Sequence, residues 1–187
     1  MKTSTFVMIT ILALGLAAFK PVATKLVSKA GQISFFSHTA AEDITANNYK
    51  VTSTLETTSG DVVFSVPMQS FEFEKALMQE HFNGKDFLNT KEFPKAKFTG
   101  KITNLSAIDF TKDGKYDAEV AGELTLKATS KPVNAKGTVT VSGSTFIVDT
   151  KFNLALADYG IVFKKGKPST NIAKEVEVTV HAEHISE

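Results

Sequence analysis

The chain has 187 residues, a length that single all-β domains commonly reach, so we expect one folded domain. Its 21 basic residues, all of them Lys, nearly balance its 20 acidic residues, which excludes the basic excess of a nucleic-acid-binding face. The absence of Cys excludes disulfides, thiol catalysis and Cys-based metal or cluster sites.

The N-terminal segment is typical of an export signal. Lys2 provides a positive start, residues 6–16 form an apolar run, and small residues follow around Ala17 as at a cleavage site. A membrane-spanning helix needs about 20 apolar residues, so the shorter run disfavours the alternative of a retained anchor. We predict a signal peptide over residues 1–18, export to the periplasm or the extracellular space, and one barrel domain over 19–187.

Apolar and polar residues alternate in long runs from residue 24 onward. A period of two residues is typical of strands with one buried face, as in antiparallel sheets. Turn signals such as Asp113-Gly114 separate the runs, which favours sequential hairpins and an all-β, antiparallel up-and-down barrel of about eight strands. The predicted strands are 25–30, 32–37, 49–58, 61–68, 95–110, 115–127, 132–141, 145–153 and 174–184.

Residues 71–88 depart from this alternation. Phe73 and Leu77 fall at helical spacing, and Gly84 stands where a helix C-terminus is expected. The pattern predicts one short helix, inserted between strands, that lies over one opening of the barrel. His81 at its end either orients a ligand headgroup or ties the helix end to a neighbouring loop. Because helix ends leave carbonyls without partners, the second interpretation is favoured.

The sequence carries no recognisable catalytic motif. It lacks the G-x-S-x-G, H-E-x-x-H, P-loop and G-x-G-x-x-G patterns. His181 and His184 come nearest to a metal motif, but on a strand their odd spacing places them on opposite faces, and we interpret both as surface residues. Asp109, Asp113 and Asp117 lack the ligand spacing of a calcium loop. We therefore expect a protein without catalytic residues, metal or cofactor.

Phenylalanine is unusually frequent, with 15 residues and no Trp. A small barrel of about eight strands is either filled by its side chains or holds one slender ligand. Strand alternation predicts several inward-pointing rings, and the predicted helix supplies residues that close one end. The candidate ligand contacts are Phe35, Phe64, Phe98, Phe146 and Phe152 along an apolar tube, with Leu77 and Phe82 at its opening.

Three segments in combination resemble one known family. Residues 77–100 contain M-Q-E-H-F-N and F-P-K-A-K-F-T-G, residues 122–133 contain G-E-L-T-L and K-P-V, and residues 158–161 read D-Y-G-I. These motifs are similar to those of the YceI-like family, exported lipocalin-like barrels that bind polyisoprenoid lipids. The resemblance implies non-enzymatic binding of an isoprenoid lipid, such as a quinone tail or an isoprenyl phosphate, for sequestration or transport in the cell envelope. A membrane would then be only a transient source or acceptor of lipid.

Two other functional classes remain open at this point. One is a fully packed barrel that recognises an envelope protein through its loops, and the other is a hydrolase whose serine and base assemble only in the fold. The volume of the barrel interior distinguishes the first class from lipid binding. Any pyrophosphate headgroup would depend on Lys164, Lys165 and Lys167, which we interpret instead as residues of a solvated loop.

Overall fold

Strands dominate the computed structural model, which describes residues 25–161 and 172–186. Within these ranges it contains nine strands and one α-helix. They are β1 Lys25–His38, β2 Asp43–Glu56, β3 Asp61–Pro67, β4 Glu72–Phe73, α1 Ala76–Asn83, β5 Lys95–Ile102, β6 Gly114–Leu126, β7 Thr129–Ser142, β8 Thr145–Ala155 and β9 Glu175–Ser186. The predicted signal peptide and the loop containing Lys164, Lys165 and Lys167 lie outside the described residues.

The long strands form a closed antiparallel barrel. Each pairs with its neighbours in sequence, and β1 pairs with both β2 and β9, which closes the sheet. In the described part of the chain the barrel has eight strands, and the two-residue strand β4 adds to the start of β2. This arrangement confirms the predicted up-and-down barrel with one inserted helix.

Two predicted strands, 25–30 and 32–37, are one strand in the structure. The pairing of β1 with β2 shifts register near Gly31, which marks a bulge rather than a strand end. A bulge adds one residue to one strand and so reverses which residues face inward. Leu26 and Ser28 are buried before it, and Ile33 is buried after it.

The region around the helix also differs in its boundaries. The predicted helical segment 71–88 contains a helix only over Ala76–Asn83, because Glu72 and Phe73 pair with β2 as β4. Likewise the predicted strand 95–110 ends at Ile102, and a 3₁₀ helix follows at Leu105–Ala107.

The barrel interior has two apolar clusters, one towards each end. We call the end that carries α1 the upper end, and the end with the β2–β3 and β7–β8 turns the lower end. The upper cluster surrounds Phe82, Met68 and Leu126. The lower cluster consists of Leu26, Leu55, Val62, Ile102, Ile108, Val139, Val141 and Phe146.

Candidate functional site

The barrel encloses a cavity of about 1050 Å³. Inward-facing side chains from all eight barrel strands line it, and most of them are aliphatic or aromatic. Concave, largely apolar cavities of this kind are typical sites for small apolar ligands. Prominent lining residues are Ile33, Val66, Leu124, Phe152, Leu154, Val176, Val178 and Val180.

The structure places every predicted lining residue on the cavity wall except Phe146. The residues found there are Phe35, Phe64, Leu77, Phe82, Phe98 and Phe152. Phe146 does point inward from β8, but it belongs to the lower cluster and packs against Phe110, with 6.2 Å between the ring centroids. Val148, two residues further up the same strand, is the cavity residue. The prediction that Phe146 lines the cavity is therefore wrong. Its side chain faces inward as expected, but it lies lower along the barrel axis, where the ring closes the barrel below the cavity.

Phe98 occupies a distinctive position in the wall. Its ring lies over Gly100 and Gly122, which face each other across β5 and β6. A Cβ atom on Gly122 would lie 2.5 Å from the ring's Cζ atom and 2.5 Å from the Cα atom of Gly100. Real side chains do not approach so closely, so the two glycines provide the space that the Phe98 ring fills.

An aromatic cluster forms the upper part of the wall beneath α1. Phe82 of α1 is only 6% exposed, and its ring stacks on Phe35 at 5.8 Å between centroids. It also contacts Phe71 at 5.3 Å, Phe73 at 5.0 Å and Phe87 at 6.3 Å. Aromatic pairs at such separations are favourable beyond simple area burial, so Phe82 fixes α1 to the barrel.

Polar contacts hold the end of α1 in place. The Asn83 side-chain amide donates to the Gln79 carbonyl at 2.9 Å, and the Thr90 hydroxyl donates to the Asn83 side chain at 2.7 Å. Lys127, in the β6–β7 turn, donates to the Phe87 carbonyl at 2.9 Å. The favoured interpretation of His81 is wrong, because its exposed ring makes no hydrogen bond to another described residue and Asn83 serves that role instead.

One side of α1 borders the opening of the cavity. Leu77, Glu80, His81 and Gly84 recur at helical spacing and all line this opening, with Leu77 61% exposed. Lys75 on the same segment forms an ion pair with Glu42 at 2.7 Å. The opening therefore combines the apolar side chain of Leu77 with charges of both signs.

A buried polar pair lies behind Phe64. The Ser53 hydroxyl is 2.8 Å from Nε2 of His184, and Nδ1 of His184 is 3.2 Å from the Ala182 carbonyl oxygen. Because a carbonyl only accepts, Nδ1 carries the proton and Nε2 accepts from Ser53. His184 is 1% exposed, so the prediction that it lies on the surface is wrong. Burial lowers the pKa of His184, against the opposing effect of nearby carbonyls.

Ser53 and His184 have the atoms of a nucleophile and a base, but a ligand in the cavity does not reach them. Neither Ser53 nor His184 is among the described residues that line the cavity. The proton on Nδ1 is directed to a backbone carbonyl, whereas the triad arrangement places a carboxylate there. The pair therefore satisfies buried polar groups inside the barrel wall.

His181 occupies the opposite face of β9, as its odd spacing from His184 predicts. It is exposed and lies 2.6 Å from a carboxylate oxygen of Asp149. Within residues 25–161 and 172–186, no group of three or more potential metal-ligating side chains lies close enough together to hold an ion. Over the same residues no α-helix has the length and apolar character needed to cross a membrane.

Sequence reasoning misses several wall residues. Phe71 and Phe73 contribute to the aromatic cluster from β4 and its preceding turn, where the sequence predicts a helix. Ile33 and Leu124 follow the alternation of β1 and β6, so the signal that identifies Phe35 and Phe98 also identifies them. Counting aromatic residues alone conceals this aliphatic part of the wall.

Sequence comparisons place this architecture among known proteins. A family model described as a YceI-like domain matches residues 25–184. A UPF0312 protein of Shewanella denitrificans is 29% identical over 127 residues, which cover 64% of this chain and 62% of the relative. A UPF0312 protein of Pseudomonas fluorescens is 42% identical over 59 residues, or 32% of this chain and 29% of the relative. The chain thus spans less than two thirds of the length of these relatives.

Solved structures share the fold. The structure of BcnA from Burkholderia cenocepacia aligns with a TM-score of 0.67 and 21% identity over 82% of this chain and 95% of BcnA. A polyisoprenoid-binding domain from Saccharophagus degradans aligns with a TM-score of 0.73 and 13% identity over 88% of this chain and 99% of that domain. Since the family model matches the barrel from its first strand to its last, the chain belongs to the YceI-like domain family.

Proposed function

We propose that this protein binds a long isoprenoid chain, such as a quinone tail or an isoprenyl phosphate, inside the barrel cavity. The observation that carries the proposal is the cavity of about 1050 Å³ with its predominantly apolar wall. At about 30 Å³ for each non-hydrogen atom, the share of one water in the liquid, the cavity has room for roughly 35 atoms, or about seven five-carbon units. A linear, flexible hydrocarbon suits such a space.

The energy of tail burial supports binding without a specific headgroup contact. Burial contributes about 0.8 kcal/mol for each CH₂ group, so one five-carbon unit contributes roughly 4 kcal/mol. A few buried units therefore offset an association cost of about 4–15 kcal/mol. The absence of Arg, the residue best suited to bidentate phosphate recognition, also favours recognition of the tail.

We also propose that binding is the whole activity and involves no catalysed reaction. The buried Ser53–His184 pair has no access to the cavity wall. The fold is shared with the polyisoprenoid-binding domain from Saccharophagus degradans. The cavity of about 1050 Å³ favours ligand binding over the alternative of a solidly packed interaction barrel.

The proposed place of action is the cell envelope, outside the cytoplasm. This part of the proposal rests on the signal-like residues 1–18 and their apolar run. N-terminal sequencing of the protein from an expressing bacterial host should find a new terminus near Ala17 or Ala18. An intact Met1 on protein embedded in the membrane would contradict export by cleavage.

The binding proposal is tested by filling the cavity. Ala118 lines the cavity from β6, whereas Ala121 on the same strand is not a lining residue and alternates to the outer face. Ala118→Trp should greatly reduce the lipid that native mass spectrometry and solvent extraction detect in purified protein. Ala121→Trp should retain the wild-type load. Circular dichroism checks that both variants fold, and a folded Ala118→Trp with an undiminished load would place the lipid elsewhere.

A further inference from the structure

The barrel wall contains a seam between β7 and β8. Their ladder extends from Ser142 and Thr145 only as far as Gly137 and Thr150. Above this point β7 continues up to Thr129 paired with β6, and β8 continues to Ala155 paired with β9. The two strands are thus ordered on both sides of the seam but are not paired with each other across it.

Side chains at the seam fit this lack of pairing. The Thr150 hydroxyl donates to the Lys136 carbonyl at 2.8 Å, which shows that the Lys136 carbonyl points towards β8. The backbone groups of every second residue in a strand point to the same side. The backbone groups of Asn134 and Pro132 therefore point into the seam, as the Lys136 carbonyl does. Proline has no N–H to donate, and within sheets it occupies positions without a ladder partner. Pro132 is therefore suited to a permanent seam.

The cavity reaches the lower end of the seam. Gly137 and Thr150 line it from the inner face, as their alternation requires. Thr138 and Asp149 also border it, although their side chains alternate to the outer face, where Asp149 contacts His181. The cavity therefore reaches the backbone of both strands at the level where their ladder ends.

The seam is poorly suited to pairing with a strand from another protein. Lys131, Pro132 and Lys136 are exposed on its β7 side, and Lys151 is exposed on its β8 side. Charged residues, especially Lys, together with Pro are the devices that protect sheet edges from strand addition. At the upper end, by contrast, moving α1 would separate Phe82 from four other rings.

We propose that isoprenoid ligands enter and leave the cavity laterally, through the seam between β7 and β8. The proposal rests on the lipid-binding function proposed above. A flexible chain passes between the strands without breaking backbone hydrogen bonds, since the ladder ends at Gly137 and Thr150. At the lower end of the seam the two strands lie close together. Only glycine fits at position 137, because a Cβ there would lie 2.2 Å from the Asp149 carbonyl oxygen.

The test blocks the seam from outside. The chain has no Cys, so a single introduced thiol can be labelled uniquely with a bulky maleimide. Asn134→Cys and Asn153→Cys place the label on the two sides of the seam, while Thr140→Cys places it on the outer face of β7 where the ladder is intact. Glu80→Cys places it at the opening beside α1. The probe is all-trans-retinol, an isoprenoid alcohol whose fluorescence rises in apolar surroundings, followed by stopped flow.

Labels at Asn134→Cys and Asn153→Cys should lower the association and dissociation rate constants together, each by about tenfold or more, a barrier effect that leaves Kd unchanged. The Thr140→Cys label should change neither rate, and the Glu80→Cys label should slow both rates far less than the seam labels do. Equal rates for seam and control labels, or slowing only at Glu80→Cys, would overturn the lateral route while retinol binding still supported the proposed function. A wild-type protein that binds no retinol would overturn both proposals.

Discussion

The buried imidazole of His184 should make the barrel sensitive to mild acid. Its hydrogen-bond partners are the Ser53 hydroxyl and the backbone carbonyls of Ala182 and Phe146, and burial nevertheless lowers its pKa. The unfolded chain, where the pKa of His is about 6.5, therefore binds protons more readily than the folded one. The contribution of His184 to stability is thus present above about pH 6.5 and is lost as the pH falls below it.

The size of the effect follows from proton linkage. A histidine that stays neutral in the folded state lowers the free energy of unfolding by up to about 1.4 kcal/mol between pH 7.5 and pH 5.5. Carboxylates contribute little here, because their ordinary pKa values near 4 lie below this window. His184→Gln removes the titrating group, and its side-chain oxygen replaces Nε2 as the acceptor for Ser53.

Urea unfolding at the two pH values, followed by far-ultraviolet circular dichroism, measures this difference. His184→Gln should unfold more easily at pH 7.5 but should lose most of the wild-type pH difference. Leu55→Ala, a buried change that costs about 2–5 kcal/mol without altering any titrating group, should keep that difference. A His184→Gln protein with the full wild-type pH difference would refute the assignment of acid sensitivity to His184.

Two further substitutions test how the cavity wall is built. Phe82→Ala should lower the free energy of unfolding by about 3–5 kcal/mol, as for other buried aromatic residues, whereas Phe36→Ala on the outer face should change it far less in the same urea titration. Gly122→Ala should cost at least about 1–3 kcal/mol, because its Cβ would overpack against both the Phe98 ring and the backbone of Gly100. Adding Phe98→Ala should recover part of that loss, and strictly additive effects in the double-mutant cycle would contradict the contact.

The barrel was predictable because alternation is a local property of each strand. Val176, Val178 and Val180 alternate with polar residues in the sequence, and all three are buried in the structure. The same rule corrects the interpretation of the two histidines. Residues on opposite faces of a barrel strand cannot both lie on the surface, so one of His181 and His184 has to face inward.

Depth along the barrel axis was not predictable in the same way. Phe146 and Phe152 have the same phase on β8, yet one closes the lower end and the other lines the cavity. The difference depends on the register of several strands and on which side chains fill each level. The bulge near Gly31 and the pairing of β4 with β2 likewise depend on partners distant in sequence.

The two ends of the barrel therefore have different physical roles. The lower cluster buries Leu26, Leu55, Val139 and Phe146 against one another, so this end is stabilised by the chain itself. Around the cavity the apolar side chains lack some of the contacts that close packing would provide, and a ligand tail would supply them. Binding to the folded state alone raises the free energy of unfolding by RT ln(1 + [L]/Kd), about 2.7 kcal/mol at a hundredfold excess over Kd. Because the lower end is already packed, the barrel can form before any ligand binds, as the proposed exchange of lipid requires.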